Sequence, residues 1–201
     1  MNPRERLRSA MRARRAALSP TERRRAAEAI ARHLAASGWL RPGRCVAAYL
    51  AVGSELDATP VIQRALRHGC RLLLPRIEST RSARMTFSPT VGRWRVNRFG
   101  ILEPDSRERV PASRCTLILL PLVAFDETGS RLGSGAGYYD RALAFRNRRH
   151  RWRGPRLVGL AHSSQELTKA LGGPLQRLPT DIPLDALITE QGIRIFPGEN
   201  P

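Results

Sequence analysis

The sequence lacks the features that mark membrane and secreted proteins. Its 201 residues contain no run close to the roughly 20 apolar residues that a membrane-spanning helix needs. The basic start MNPRERLRSAMRARR is not followed by an apolar segment, so we expect no signal peptide. Cys45, Cys70 and Cys115 lie far apart and form no CxxC pair, which argues against both a disulfide framework and a zinc site. We therefore expect a cytoplasmic protein with reduced thiols and no membrane contact.

Lysine is almost absent, although the chain is strongly basic. Lysine and arginine together number 35 against 17 acidic residues, giving a net charge of +18, and Lys169 is the only lysine. Such an excess of positive charge can bind nucleic acid by neutralising phosphates. The arginines are scattered, however, and their densest run, residues 146–153 (RNRRHRWR), is typical of a solvated loop. We favour a polyanionic small ligand and keep a nucleic-acid-binding protein as the alternative.

Two helices are predicted at the start of the chain. Residues 4–17 place apolar side chains at helical spacing among arginines. Residues 20–36 form the second helix, which begins with proline at its first position. Ser19 is its N-cap, Glu22 closes a capping box, and Gly38 ends the helical pattern.

Strand and helix patterns alternate over the rest of the chain. Strands are predicted at residues 45–50, 71–75, 116–123, 157–161 and 186–189. Helices are predicted over residues 59–69, 138–148 and 165–171. The polar stretch 77–114 predicts a short hairpin around residues 85–87 and a long loop through residues 100–104. Continuous apolar strands separated by helices indicate an α/β fold, in which a mostly parallel central sheet forms the middle layer of a three-layer α/β/α sandwich. We predict a single domain over residues 1–201.

A glycine-rich segment, residues 131–141 (RLGSGAGYYDR), follows the strongest strand pattern. Gly133, Gly135 and Gly137 allow the backbone to approach a ligand and to turn its N–H groups toward it. A helix start behind them adds further N–H groups and the positive end of the helix dipole. Arg131 and Arg141 add positive charge. These parts together predict phosphate binding, and the alternative is a tight strand-to-helix turn without a ligand.

Common nucleotide fingerprints do not fit this segment. A P-loop needs a lysine after its second glycine, and Lys169 lies elsewhere. The dinucleotide fingerprint needs a third glycine where Tyr138 stands. Ser134 lacks the context of an activated nucleophile. Behind the glycines, Tyr138 and Tyr139 offer stacking surface and Asp140 offers a carboxylate for a metal ion.

The string PLVAFDETGSRLGSGAGYYDR resembles the signature of the 5-formyltetrahydrofolate cyclo-ligase family. The resemblance extends over nearly the whole chain in one order. It includes the opening RERLRSAMRARRAALSPTER, the stretch VAAYLAVGSELDATPVIQRALRHGCRLLLPRI, the segment FGILEP, and VGLAHSSQEL followed by LPTDIPLDALITEQGI.

This resemblance implies roles for individual residues. It implies ATP binding by Arg4, Glu5, Arg6, Leu7, Arg8, Arg131, Leu132, Gly133, Ser134, Gly135, Ala136, Gly137, Tyr138 and Tyr139. It implies folate binding by Leu50, Glu55, Ser134, Gly135, Ala136, Gly137 and Tyr138. It implies catalytic roles for Arg131, Tyr138 and Asp140, and Mg²⁺ ligation by Asp140 and Asp181. Arg4 departs from the family, which usually has lysine there, and without the resemblance the arginines of the first helix fit a solvated surface.

Each implied acidic residue has a plainer alternative. Asp140 can simply offset a helix dipole in a first turn. Asp181 can be an ordinary turn residue between prolines, and Asp185 competes with it as a metal ligand. Carboxylates do fit Mg²⁺, which bridges phosphate oxygens and keeps several waters. Glu55 follows a strand in a short loop, where α/β sheets bind ligands; the resemblance implies that it holds the pterin, and its alternative is an exposed loop acid.

Three further residues lie in segments that match the family. Glu103 and Gln165 stand in such segments without an assigned contact. His162 stands where the family often has tyrosine, and we expect it to pack at a strand end. None of the four histidines forms a metal-binding or catalytic-triad pattern.

The implied reaction is the ATP-driven cyclisation of 5-formyltetrahydrofolate to 5,10-methenyltetrahydrofolate through a phosphorylated formyl group, with release of ADP and phosphate. The expected partners are these two small substrates with Mg²⁺, and we expect a monomer that binds no specific nucleic acid. Besides nucleic-acid binding, the alternatives are an ATP-independent isomerase or CoA-transferase-like enzyme on the same scaffold, and a folate-handling protein that has lost turnover.

Overall fold

The computed structural model describes residues 2–97, 100–148, 154–168 and 173–197. Lys169 and most of the basic run 146–153 therefore lie outside the described residues. The helices are α1 (Pro3–Ala16), α2 (Pro20–Ala36), α3 (Thr59–Arg67) and α4 (Tyr138–Leu143). The strands are β1 (Cys45–Ala47), β2 (Arg71–Ser79), β3 (Arg84–Pro89), β4 (Trp94–Val96), β5 (Leu102–Pro104), β6 (Leu117–Pro121), β7 (Ala124–Phe125), β8 (Arg131–Leu132), β9 (Arg156–Leu160), β10 (Ala186–Thr189) and β11 (Gly192–Ile195).

A seven-stranded sheet forms the centre of the fold, with strand order β11-β10-β9-β6-β1-β2-β3. The five inner strands run parallel, while β3 and β11 pair antiparallel at the two edges. The predicted α/β fold with a mostly parallel sheet is confirmed. Two small antiparallel ribbons, β4–β5 and β7–β8, lie outside this sheet.

Both faces of the sheet are buried, which explains why its strands read as continuous apolar runs. Neighbouring residues of β6, Ile118 and Leu119, belong to two different core clusters, because successive side chains of a strand point to opposite faces. The cluster with Leu119 contains Ile30 of α2 and Val61 of α3. The cluster with Ile118 contains Leu143 of α4. Helices therefore cover both faces, as a three-layer arrangement requires.

The first two helices begin as the sequence predicts. Asn2 caps α1 and Ser19 caps α2, and each forms a capping box with the glutamate three residues later, Glu5 and Glu22. Helix α1 packs on a small separate cluster that includes Met11 and Leu132. In the described part of the chain, no helix is long and apolar enough to cross a membrane.

The sheet edges and the connections differ from the prediction. Strand β2 continues to Ser79 because it forms a hairpin with β3, and the loop expected at residues 100–104 contains β5, which pairs with β4. These segments gain backbone partners that local composition does not reveal. Strand β11 was also not predicted; its side chains are mostly exposed, so it lacks an apolar pattern.

Two helix predictions differ from the structure, one in its length and one in its structure type. Helix α4 ends at Leu143 and continues as a 3₁₀ turn, Ala144–Arg148. The helix expected over residues 165–171 is wrong at its start, where Ser163–Gln165 forms a 3₁₀ turn and Glu166 bridges in parallel to Phe125. Its last three residues lie outside the described part.

Candidate functional site

A cavity of about 570 Å³ opens beyond the carboxyl ends of β1 and β6. This is the edge at which parallel α/β sheets bind ligands, because loops after neighbouring strands meet there. We group its lining residues by their chemistry. The set that we call the polar half comprises Arg4, Arg8, Arg131, Gly133, Ser134, Gly135, Gly137, Asp140 and Asp181. The set that we call the apolar half comprises Tyr49, Leu50, Glu55, Leu74, Ile101, Leu102, Tyr138 and Tyr139.

The glycine-rich loop joins β8 to α4 and forms one wall of the polar half. Gly135 and Gly137 have φ values of 113° and 69°, which favour glycine. Arginines hold the loop through its carbonyl oxygens: Arg8 Nε donates to Gly133 O at 3.0 Å, and the Arg141 guanidinium donates to the carbonyl of Ala136. Within the described residues, no backbone N–H of residues 133–137 donates a hydrogen bond. The loop therefore presents unsatisfied donors beside the cavity.

One face of α1 forms an arginine ladder, which we define as Arg4, Arg8, Arg12 and Arg15. Their spacing of four, four and three residues places them on the same side of a helix. Arg12 Nη2 donates to Ser134 O at 2.9 Å, and Arg15 Nη1 donates to Leu122 O at 3.2 Å. Sequence reasoning missed Arg12 and Arg15. The helical period that continues from Arg4 and Arg8 is the signal that identifies them.

Two carboxylates of the polar half are paired with arginines. Arg131 Nη2 lies 2.5 Å from Asp140 Oδ1, and Arg4 Nη2 lies 2.7 Å from Asp181 Oδ2. Asp181 Oδ2 also accepts a hydrogen bond from Leu178 N at 2.9 Å. The buried Nε atoms of Arg4 and Arg131 have no hydrogen-bond partner among the described residues, so both guanidiniums retain a donor.

These carboxylates fit a magnesium ion that arrives with a phosphate group. The described residues contain no cluster of three or more His, Cys, Asp or Glu side chains able to hold a metal alone. Two carboxylates with phosphate oxygens and water match the way Mg²⁺ usually binds. Asp185 is a weaker candidate metal ligand. Arg146 Nη1 and Nη2 donate to its two carboxylate oxygens at 2.7 Å each, and Leu157 N donates to it at 2.7 Å. It does not line the cavity.

Glu55 is the single carboxylate among the described residues of the apolar half. It follows β1 in a turn and accepts a hydrogen bond from Val52 N at 3.0 Å. Burial raises the pKa of the Glu55 carboxyl, and the Val52 N–H together with the charges of Arg15 and Arg12 offset part of that rise. A partly desolvated carboxylate in a cleft is a candidate binding group.

Two tyrosines flank Glu55. The Tyr49 hydroxyl is buried and donates to Leu56 O at 3.1 Å. Burial, with the charge of Glu55 adding to it, raises the pKa of both Tyr49 and Tyr139. Both phenols are therefore neutral near pH 7 and offer aromatic surface rather than charge.

The β4–β5 ribbon supplies a wall that the sequence did not predict. Ile101 and Leu102 line the cavity from this ribbon. Glu103 lies beneath it, 1% exposed, pairing with Arg95 and accepting from Asn97 Nδ2 at 3.2 Å and Ile77 N at 3.3 Å. Glu103 thus ties the ribbon to β2 and is not a lining residue.

Gln165 and His162 lie behind the cavity wall. Gln165 Nε2 donates to Leu122 O at 2.8 Å and Val123 O at 3.1 Å, while its Oε1 accepts from His162 N at 2.8 Å. These bonds brace the loop after β6. His162 is buried directly after β9, at a strand end as expected, and lines a different groove with Ser163 and Glu190.

Four residues implied to bind the ligands do not line the cavity. Glu5 caps α1, Arg6 is exposed, and Leu7 packs in the small cluster beneath α1. Ala136 is exposed at the loop tip. Direct ligand contact by these four stays a prediction. The other implied ATP- and folate-binding residues are brought together around one cavity.

Comparison with known proteins identifies the family of the chain. A sequence model of the 5-formyltetrahydrofolate cyclo-ligase family matches residues 1–190. The 5-formyltetrahydrofolate cyclo-ligase of Escherichia coli (strain K12) is 35% identical over 187 residues, covering 89% of this chain and 96% of that protein. The mitochondrial enzyme of that name from Arabidopsis thaliana is 30% identical and covers 88% and 70%. The solved structure of Aquifex aeolicus 5,10-methenyltetrahydrofolate synthetase is 34% identical, with a TM-score of 0.78 and coverage of 96% and 92%.

Proposed function

The chain belongs to the 5-formyltetrahydrofolate cyclo-ligase family, and on this premise we propose that it uses Mg-ATP to convert 5-formyltetrahydrofolate to 5,10-methenyltetrahydrofolate. The observation that carries the proposal is that one cavity is lined both by charged and glycine residues, the polar half, and by aromatic and aliphatic residues with Glu55, the apolar half. Each half matches the chemistry of one substrate, and both open into the same volume.

The polar half fits a triphosphate. Arginine side chains hold the carbonyl oxygens of the glycine-rich loop, and the N–H groups of residues 133–137 remain available. Backbone N–H groups in a glycine-rich turn form an anion-binding concavity. Arg4, Arg8 and Arg131 would add charge to the phosphate oxygens. Asp140 and Asp181 would hold the Mg²⁺, which would neutralise phosphate charge when bound.

The apolar half fits a reduced folate. A carboxylate can accept two hydrogen bonds from the 2-amino-pyrimidinone edge of a pterin, and Glu55 is the carboxylate that lies there. Tyr138 supplies stacking surface, and Leu50 and the β4–β5 ribbon enclose the less polar part of the ligand.

The proposed reaction has two displacements. The formyl oxygen on folate N5 attacks the γ-phosphorus of ATP, a P–O bond forms, and ADP leaves. Folate N10 then attacks the formyl carbon, its proton is lost, and the C–O bond to phosphate breaks, giving the methenyl bridge and inorganic phosphate. Alignment and charge neutralisation provide most of the catalysis. No protein base has to accept a proton in the first displacement, which agrees with a cavity whose described lining residues include arginines and carboxylates but no histidine.

The direct test is an absorbance assay. Protein incubated with 5-formyltetrahydrofolate and Mg-ATP should raise methenyl absorbance in the near ultraviolet, and omission of ATP should abolish the rise. Folded protein that produces no methenyl signal would refute the proposal. A rise that is independent of ATP would indicate an isomerase- or transferase-like enzyme. Strong, salt-dependent nucleic-acid binding without folate turnover would favour the remaining alternative.

A further inference from the structure

We propose that Arg15 is a positioning residue, which fixes the loop that carries Glu55 and places a positive charge beside this carboxylate, where folate would bind. Arg15 ends the arginine ladder on the side of the apolar half, as Arg4 ends it on the side of Asp181. The inference rests on the proposed function only for its folate readout, and its structural part is testable without any substrate.

The geometry singles out Arg15 among the ladder residues. It is only 5% exposed, which is rare for a charged side chain without a specific role. Its Nε donates to Ser54 Oγ at 3.2 Å, and its Nη1 donates to Leu122 O at 3.2 Å. One rigid guanidinium thus joins the residue before Glu55 to the loop after β6.

That junction is braced from behind. The Leu122 carbonyl that accepts from Arg15 also accepts from Gln165 Nε2 at 2.8 Å. The loop that carries Glu55 is therefore held against the loop after β6. Among the described residues, the Glu55 carboxylate accepts one hydrogen bond, from Val52 N within its own turn, and Glu55 N donates to Val52 O in the same turn. Loss of Arg15 would remove the contact that ties this turn to the rest of the site.

The electrostatic role follows from the charged and titratable groups around Glu55. From α1 it faces Arg15 and Arg12, and it also interacts with Tyr49 after β1 and with Tyr139 of α4. The phenols are neutral, so among these charged and titratable groups the two arginines favour the carboxylate form, in addition to the hydrogen bond from Val52 N. Burial raises the pKa of Glu55 and the charge of Arg15 lowers it, so removal of Arg15 should raise this pKa further. A protonated Glu55 could no longer accept two hydrogen bonds from a pterin edge.

The test compares three substitutions. Arg15→Gln removes both the positive charge and the planar guanidinium. Arg15→Lys keeps the charge but cannot donate to Ser54 and Leu122 with the same fixed geometry. Arg14→Gln is the matched control: the neighbouring Arg14 is exposed and makes no hydrogen bond or ion pair with the described residues. The pKa of Glu55 is measured by carboxyl carbon NMR in substrate-free protein, with Glu55→Gln used for assignment. Thermal unfolding reports whether each variant is folded.

The expected pattern separates charge from geometry. Arg15→Gln should raise the Glu55 pKa and increase the KM for 5-formyltetrahydrofolate by roughly tenfold, with little change in the KM for ATP. Arg15→Lys should restore the Glu55 pKa but only part of the folate KM, and Arg14→Gln should match the wild type. An unchanged Glu55 pKa in Arg15→Gln would overturn the inference whatever the activity. If Arg15→Gln does not fold, an Arg15→Lys variant with a wild-type folate KM would overturn the positioning role of the guanidinium. Failure of the wild-type protein to form methenyl product would instead overturn the proposed function.

Discussion

The two halves of the cavity are built on different principles. The polar half is made of backbone and charge: a glycine loop held by arginines, and two carboxylates each paired with an arginine. The apolar half is made of side-chain surface from β1, β2, α4 and the β4–β5 ribbon, with Glu55 as its carboxylate. The first arrangement fits any triphosphate, because all triphosphates carry negative charge and acceptor oxygens of the same kind. The second depends on shape, since one carboxylate can select a ligand only if the walls place it correctly.

This contrast predicts that substitutions will act on one substrate at a time. Changes in the polar half should affect turnover and ATP, and changes in the apolar half should affect folate. The tests below run from the largest expected effect to the smallest.

The most severe test of the polar half is Asp140→Asn. The amide keeps the shape but loses the charge that we propose to hold Mg-ATP, so we expect kcat to fall by roughly 100- to 1,000-fold. Binding of 5-formyltetrahydrofolate, measured by calorimetry without ATP, should stay close to wild type. Glu28→Gln, on the exposed surface of α2, is the control and should leave kcat unchanged. Normal turnover by Asp140→Asn would remove Asp140 from the metal site.

The matching test of the apolar half is Glu55→Gln. Its amide cannot offer two acceptors to the pterin edge, so we expect the folate KM to rise by roughly 10- to 100-fold while the KM for ATP changes little. Equal losses for both substrates would contradict the division of the cavity.

Glu55→Gln should also change how the free energy of unfolding depends on pH. Burial raises the pKa of Glu55 above that of an unfolded glutamate. The native state therefore binds this proton more tightly, and the free energy of unfolding falls as the pH rises from the ordinary carboxyl pKa through the raised one. Glu55→Gln should be more stable than wild type above that window and gain nothing below it. Thermal unfolding at several pH values measures this difference, and an equal gain at every pH would contradict it.

Leu50→Ala tests the walls of the apolar half. Removal of a half-buried leucine side chain should raise the folate KM by about fivefold to tenfold and leave ATP unaffected. Leu66→Ala on α3, where the leucine is 51% exposed, should change neither KM. An ATP KM that rose in parallel with the folate KM would show that Leu50 serves both substrates.

Gly137→Ala has the smallest expected effect on the site. At its φ of 69° an alanine is strained, and its Cβ would lie 3.1 Å from Arg141 Nη2. Gly38→Ala meets the same strain at φ 72° with nothing within 4 Å. Both should lower the free energy of unfolding by about 1 kcal/mol, but only Gly137→Ala should raise the ATP KM, by about threefold. A similar ATP effect from Gly38→Ala would refute a local cause.

The glycine-rich segment of the polar half could be predicted from sequence, because its glycines and Asp140 lie close together in the chain, whereas Arg4, Arg8 and Asp181 were implied only by the family resemblance. Gly133, Gly135 and Gly137 stand within five residues of one another, and Asp140 follows in the same segment. The arginine ladder repeats at helical spacing, although the prediction stopped at Arg8. The inner strands were likewise predictable, since burial on both faces makes them continuously apolar.

The apolar half could not be predicted in this way. Leu102 is 52% exposed and Ile101 lies in a polar stretch, so neither belongs to an apolar pattern. Their position depends on the β4–β5 pairing and on Glu103, whose partners Arg95 and Ile77 come from separate strands. Such contacts are set by tertiary structure, and local composition does not encode them. The same reason explains the missed edge strand β11.

The two carboxylate–arginine pairs have a thermodynamic consequence for the order of binding. In the structure Asp140 and Asp181 each already have a guanidinium as counter-ion. A divalent ion alone would have to part each pair and leave two arginines without an anion. A triphosphate that arrives with the ion gives those arginines a new anionic partner. The carboxylates then exchange an arginine for the metal ion while the arginines exchange a carboxylate for phosphate, and the second exchange offsets the cost of the first. Binding linkage is reciprocal, and the ion and the nucleotide should each raise the other's affinity. The proposed pairing therefore favours the complex of the two over either one alone.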